Sequence, residues 1–155
     1  MTAKTQDSRQ YATFRVADLF FGIEVLKVQE LIRQQEMSAV PLAPRAIEGL
    51  INLRGQIVIA IDTRRSLGLP PAEGEDQRVN IVIKSGDAII SLLVDEISDV
   101  IDVPLTAYAP VPDNMPAEQR QLIECVFHLK NKHGHAEDDL MLVLDTGRLF
   151  ENACN

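Results

Sequence analysis

The 155-residue chain is 46% hydrophobic and 25% charged, the proportions of a globular protein able to bury about two thirds of its unfolded surface without disulfides or metals. Apolar stretches such as Ile57–Ile61 fall far short of the ~20 residues of a membrane-spanning helix, and the polar start Met1–Ser8 has no apolar signal core, so a cytoplasmic protein without direct membrane insertion is expected. A formal net charge of −8 repels phosphate backbones and anionic lipid, which argues against nucleic acid as a partner.

In chain order, residues 1–10 read as a disordered tail and residues 11–155 as a single domain. Tyr11, Thr13 and Arg15 alternate with Ala12, Phe14 and Val16, a period of two that predicts a half-buried strand, with Leu19–Ile23 as its hairpin partner. Val25, Val28, Leu31 and Ile32 recur at helical spacing, with Lys27, Gln29, Glu30 and Arg33 on other faces, and predict one short amphipathic helix. The β-branched run Ile57–Ile61 predicts a strand buried on both faces. Asp62 or Thr63 then caps a helical turn that stops at Gly68. Val79–Lys84 and Ala88–Val94 flank Ser85–Gly86–Asp87 as a hairpin. Four prolines between Pro104 and Pro116 mark an irregular connector, after which come Leu122–Leu129, the polar stretch Lys130–Asp139, and the apolar strand Leu140–Leu144.

A weak internal repeat runs through this series. Ile57–Leu67 echoes Leu140–Phe150, each an apolar strand, an Asp-Thr cap and an apolar-faced turn, and Phe21–Val25 echoes Leu92–Glu96 in passing from an apolar strand to an acidic helix start. Many short strands with scraps of helix predict an all-β fold of two small barrels, since parallel βαβ units need crossover helices of about a dozen residues.

Signatures of catalysis are sparse. There is no Gly-rich phosphate loop, HExxH, GxSxG or CxxC in the sequence, so no motif-borne mechanism is indicated. Cys125 and His128 lie an odd number of residues apart in a predicted strand and should face opposite ways. Cys125 would join Ile123, Phe127 and Leu129 on the apolar face, and His128 would share the outer face with Glu124. Cys125 and Cys154 are both expected to be thiols. His133 and His135, followed by Glu137, Asp138 and Asp139, supply metal-ligand types, and with His128 they leave a small metal-dependent enzyme as a distant alternative. A Gly-containing stretch with no second ligand cluster is poorly suited to holding a metal. Asp95–Glu96 reads as a cap or solvated turn. Arg45, Arg54, Arg64 and Arg65, concentrated in one short segment of an acidic chain, suggest a site for an acidic partner surface.

The most specific segment is Pro41-Leu42-Ala43-Pro44-Arg45-Ala46-Ile47-Glu48-Gly49-Leu50-Ile51-Asn52-Leu53-Arg54-Gly55-Gln56-Ile57. It resembles the CheW signature P-x-x-P-x-x-(aliphatic)-x-G-(aliphatic)-(aliphatic)-N-L-R-G-x-(aliphatic). Phe21–Leu31, Leu93–Val100 and Leu144–Phe150 are similar to further stretches of that family, in the same order. Positions that differ from the family pattern include Ile59, where proline is usual, and Ser91, where glycine is common.

The resemblance implies two intertwined five-stranded SH3-like barrels around a shared apolar seam, and an adaptor without cofactor. Its partners would be the regulatory domain of a CheA-type histidine kinase and the helical tip of a chemoreceptor. The receptor-facing residues map to Val28, Glu30, Gly49 and Arg54; the kinase-facing ones are not assigned. A coupling protein of a parallel pathway, governing surface sensing, pili or cyclic dinucleotide output, is the alternative. In physical terms, Arg54 beside Gly55 can hold a planar guanidinium outward for two-point pairing with carboxylates or carbonyls.

Overall fold

The computed structural model describes residues 8–33, 36–71, 78–129 and 140–155. The chain opens with β1 (Ser8–Val16) and β2 (Leu19–Glu24), passes through a 3-10 turn (Val25–Lys27), and continues into β3 (Val28–Arg33), β4 (Ile47–Leu53), β5 (Gln56–Asp62) and helix α1 (Thr63–Ser66). Next come β6 (Val79–Ser85), β7 (Ala88–Val94), β8 (Glu96–Pro104), a second 3-10 turn (Leu105–Ala107) and the two-residue β9 (Tyr108–Ala109). Helix α2 (Ala117–Arg120), β10 (Ile123–His128), β11 (Leu140–Leu144) and helix α3 (Thr146–Ala153) complete it.

The strands form two mixed sheets, one ordered β8-β1-β2-β11-β10-β9 and the other β3-β6-β7-β5-β4. This is the expected all-β architecture of two interwoven lobes. The N-terminal hairpin β1–β2 belongs to the lobe built mainly by the C-terminal half, while β6–β7 sits in the lobe with β3, β4 and β5. The chain therefore crosses between lobes twice, at Glu24–Lys27 and at Asp95. Each sheet has one parallel pair, β5 with β7 and β11 with β2. Behind each parallel strand an aspartate caps a helix: Asp62 accepts from the Arg65 amide at 3.3 Å and Asp145 from the Arg148 amide at 3.1 Å. The two half-repeats are thus real structural units, although α3 runs for eight residues where a single turn was expected.

Interweaving produces three apolar layers. Phe14, Val16, Phe21 and Ile23 of one sheet meet Ile61, Ile81, Ile83, Ile90 and Leu92 of the other in the seam. Tyr11, Phe20, Val103, Phe127, Met141 and Val143 fill the first lobe. In the other lobe the residues facing away from the seam, Ile51, Val58, Ala60, Val82 and Leu93, are also buried. Among them lies a polar pair, the Ser91 hydroxyl donating to Asn80 Oδ1 at 2.9 Å, with both residues fully buried. A serine where the family commonly has glycine thus satisfies a buried amide oxygen.

Several expectations need correction. Ser8, Arg9 and Gln10, expected in the tail, belong to β1, and residues 1–7 of that tail lie outside the described residues. The β1 strand is buried on both faces, because Tyr11 and Thr13 point into one lobe while Phe14 and Val16 point into the seam. The predicted helix over Val25–Ile32 is a 3-10 turn followed by β3, which pairs antiparallel with β6 through Leu31↔Ile81 and Arg33↔Val79. Long-range pairing overrides the local helical spacing, as is common for short segments rich in β-branched residues. Asp95 leads directly into β8 and starts no helix. Ile57 is 61% exposed because it lies beyond the covered part of the seam. A bulge between Ile123 and Cys125 in β10 breaks the expected apolar face: Ile123 turns to the seam, whereas Cys125, Phe127 and Leu129 pack into the lobe. One extra residue in a strand reverses the side to which everything beyond it points.

Candidate functional site

The β4–β5 hairpin is closed by the pair Leu53↔Gln56, leaving Arg54 and Gly55 as its two-residue loop. Both have positive φ, 54° and 85°, the requirement of the type I′ turn that matches strand twist. The Asn52 side chain accepts from the Gly55 amide at 3.0 Å and fastens the turn. Arg54 thus occupies a left-handed conformation costing a non-glycine residue roughly 1 kcal/mol, and its side chain remains 77% exposed.

Its guanidinium makes a two-point contact with the Glu30 carboxylate, NH1 to Oε1 at 2.6 Å and NH2 to Oε2 at 3.2 Å. Glu30 sits on β3 and Arg54 on the β4–β5 hairpin, opposite edges of the same sheet. The pair, together with the Ser38↔Leu50 bridge of the segment leading to β4, shows that this sheet rolls until its edges meet.

Glu30 faces the lobe interior side because a bulge between Val28 and Glu30 separates them onto different faces. Val28 pairs with Ile83 and packs against the seam. Gly49 is near the far end of β4, about 13 Å from Arg54's hairpin at ~3.3 Å per residue. A Cβ there would come within 2.8 Å of the Ser38 carbonyl oxygen and 3.0 Å of Met37 Cβ. Glycine at this position is what lets the 36–40 segment reach β4. Of the four mapped residues the fold therefore joins Glu30 and Arg54 directly, and holds Val28 and Gly49 on the two opposite edge strands, β3 and β4, with different neighbours.

The other arginines of the basic segment are largely engaged within the molecule, which corrects the expectation of an acid-binding patch. Arg64 donates through Nε and NH2 to Asp95 at 3.0 and 2.6 Å, and through NH1 to the Pro70 carbonyl at 2.7 Å. Arg65 reaches Glu48 at 3.2 Å and Asp62 at 3.5 Å, and donates to the Arg45 carbonyl. Asp62 also pairs with Arg78 at 3.2 Å. Burial pushes the Asp95 carboxyl up, but hydrogen bonds from Arg64 and the Ala17 amide, with the charges of Arg64 and Arg78, outweigh it and hold Asp95 below the usual carboxylate range. Sequence reading missed this role; the partners lie 31 and 78 positions away, and no local pattern announces them.

The candidate chemistry fares as follows. Cys125 packs in the lobe and burial raises its thiol pKa, while His128 is exposed. Both cysteines are free thiols. His133, His135, Glu137, Asp138 and Asp139 lie outside the described residues, and among the described ones no group of three or more metal-ligating side chains comes together. No helix among the described residues is long and apolar enough to cross a membrane.

The sequence profile of the CheW-like domain matches residues 10–154. The chain belongs to the CheW-like family. It is 32% identical over 116 residues to the probable chemotaxis protein CheW of Rhizobium etli, covering 75% of each chain. It is 30% identical over 132 residues to chemotaxis protein CheW of Bacillus subtilis, covering 85% of each. Protein PilI of Pseudomonas aeruginosa is 24% identical over 115 residues, 74% of this chain and 65% of that one. In fold it is similar to the crystal structure of the scaffolding protein TtCheW from Thermoanaerobacter tengcongensis, with a TM-score of 0.78, 22% identity and 92% of both chains covered. CheW-like proteins are scaffolds and adaptors rather than enzymes.

Proposed function

We propose that this CheW-like chain couples the cytoplasmic tips of chemoreceptors to the regulatory domain of a CheA-type histidine kinase, working in the cytoplasm at membrane receptor arrays. The observation that carries the reading is the Arg54–Glu30 pair: a guanidinium 77% exposed, raised on a strained but fastened turn, inside the segment most similar to the family. Ile57, 61% exposed three positions along the same hairpin, adds an exposed apolar side chain to that hairpin, and apolar and charged groups together are what a protein interface uses. Val28 and Gly49 complete the receptor-facing set, Gly49 by shaping the edge of β4. The two interwoven lobes give the molecule separate faces for two partners, as an adaptor needs.

The likeness to PilI favours a second reading, in which the same fold serves a parallel sensory pathway with a different output. Co-sedimentation of the purified chain with a receptor tip and, separately, with a kinase regulatory domain of its own organism tests the proposal. Binding to both is expected, and failure to bind either kind of partner would sink it.

A further inference from the structure

We propose that Asp95 is a latch setting the relative position of the two lobes, with the 3-10 turn Val25–Lys27, at the other crossing, as the pivot. The two places where the chain crosses between lobes are built very differently. At the first, none of Val25, Leu26 and Lys27 is fully buried: Val25 and Lys27 are half-buried and Leu26 is 92% exposed. Glu24 beside them makes a long contact with Arg9, at 3.9 Å.

At the second crossing, one carboxylate gathers three parts of the molecule. Asp95 ends the run from β7. Its Oδ2 accepts from the Ala17 amide at 2.7 Å, in the β1–β2 turn of one lobe, and from Arg64 NH2 at 2.6 Å, on α1 of the other. Its own amide donates to the Arg15 carbonyl at 3.1 Å. Ala17 has φ +55°, so the amide that meets the carboxylate is presented by a left-handed residue in a tight turn. Arg64 is held in turn by the Pro70 carbonyl. The side chains of Arg64 and Asp95 are only 16% and 22% exposed, and a charge-assisted two-point pair in such surroundings is geometrically demanding.

A groove of about 650 Å³, lined by Ala17, Leu19, Arg64, Leu69 and Pro70 among others, opens beside Arg64 and the β1–β2 turn. Solvent in this groove reaches the Arg64 side of the pair. The seam keeps the lobes in contact, so release allows a sliding adjustment of packed faces, typically 1–2 Å, about the Val25–Lys27 turn. This inference concerns the lobes themselves and holds whichever partners the chain serves.

The test uses the full chain with Cys125→Ala and Cys154→Ser, and spin labels introduced at Asp87→Cys in the β6–β7 turn and Glu124→Cys on β10, both exposed and in different lobes. Asp95→Asn keeps the shape and removes the charge; Arg64→Lys keeps the charge and removes the two-point fork. In both variants the label-to-label distance distribution should shift or broaden by about 2 Å. Amide exchange at Ala17 should quicken ~10-fold or more, the loss of one charge-assisted hydrogen bond, while β6 and β7 amides stay protected. An unchanged distribution in both variants would overturn the proposal. So would equal acceleration at all strand amides, or unfolding of both variants, since a latch leaves folded lobes behind when it opens.

Discussion

Replacing Arg54 separates its role in the fold from its role at a surface. Arg54→Ala removes a pair in which the guanidinium is 77% exposed; pairs of that exposure contribute ~0.2–1 kcal/mol. Alanine inherits the left-handed strain, so a loss of at most about 1 kcal/mol is expected. Arg54→Gly loses the same pair but relieves roughly 1 kcal/mol of backbone strain, and should melt close to wild type. If the guanidinium is the receptor-directed group, both variants should weaken receptor-tip binding by about 1–3 kcal/mol, or roughly 5- to 150-fold. Arg54→Lys should recover part of that, because an ammonium keeps charge but not two-point geometry. Kinase binding should be unaffected if the partners use separate faces. Thermal denaturation, with titrations against a receptor tip and a kinase regulatory domain, checks each term. Wild-type receptor affinity in the Gly variant, or equal losses toward both partners, would refute the reasoning.

Because the seam draws on both halves of the chain, unfolding should be a single calorimetric transition, and two resolved transitions would count against interdependent lobes. Chelators should leave the melting temperature unchanged; a fall of several degrees would reveal a structural metal. Ser91→Ala strands the buried Asn80 amide oxygen and should cost ~1–3 kcal/mol in denaturant titrations, whereas a neutral result would mean that Asn80 finds another partner. Asp95 has a lowered folded-state pKa, so its contribution is full above the unfolded value of about 3.9 and is lost as pH falls through the folded value. The acid limb of the stability curve should therefore flatten in Asp95→Asn, and an unaltered limb would contradict this.

Some of this protein is legible from local chemistry alone. Asp62 and Asp145 sit where an apolar strand ends and a short helix begins, and a carboxylate there caps amides wherever the chain lies. Asn52 and Gly55 mark a turn, Ser85–Asp87 another, and the ordered likeness from about Phe14 to Phe150 brought Arg54 and Glu30 to notice although no spacing rule relates them. Tertiary structure decided the rest. Val28–Arg33 became a strand because β6 offers it an edge, a contact that no window of adjacent residues contains. Which way Cys125, Glu30 and Gly49 face follows from bulges in β10, β3 and β4, each adding one residue against a partner strand distant in sequence. Of the arginines that composition presents as a basic patch, Arg64 pairs with Asp95, Arg65 with Asp62 and Glu48, and Arg54 with Glu30. Net charge is a sum over residues, whereas an ion pair requires two side chains within about 4 Å, and only the interwoven crossing of the two lobes brings Arg64 to Asp95.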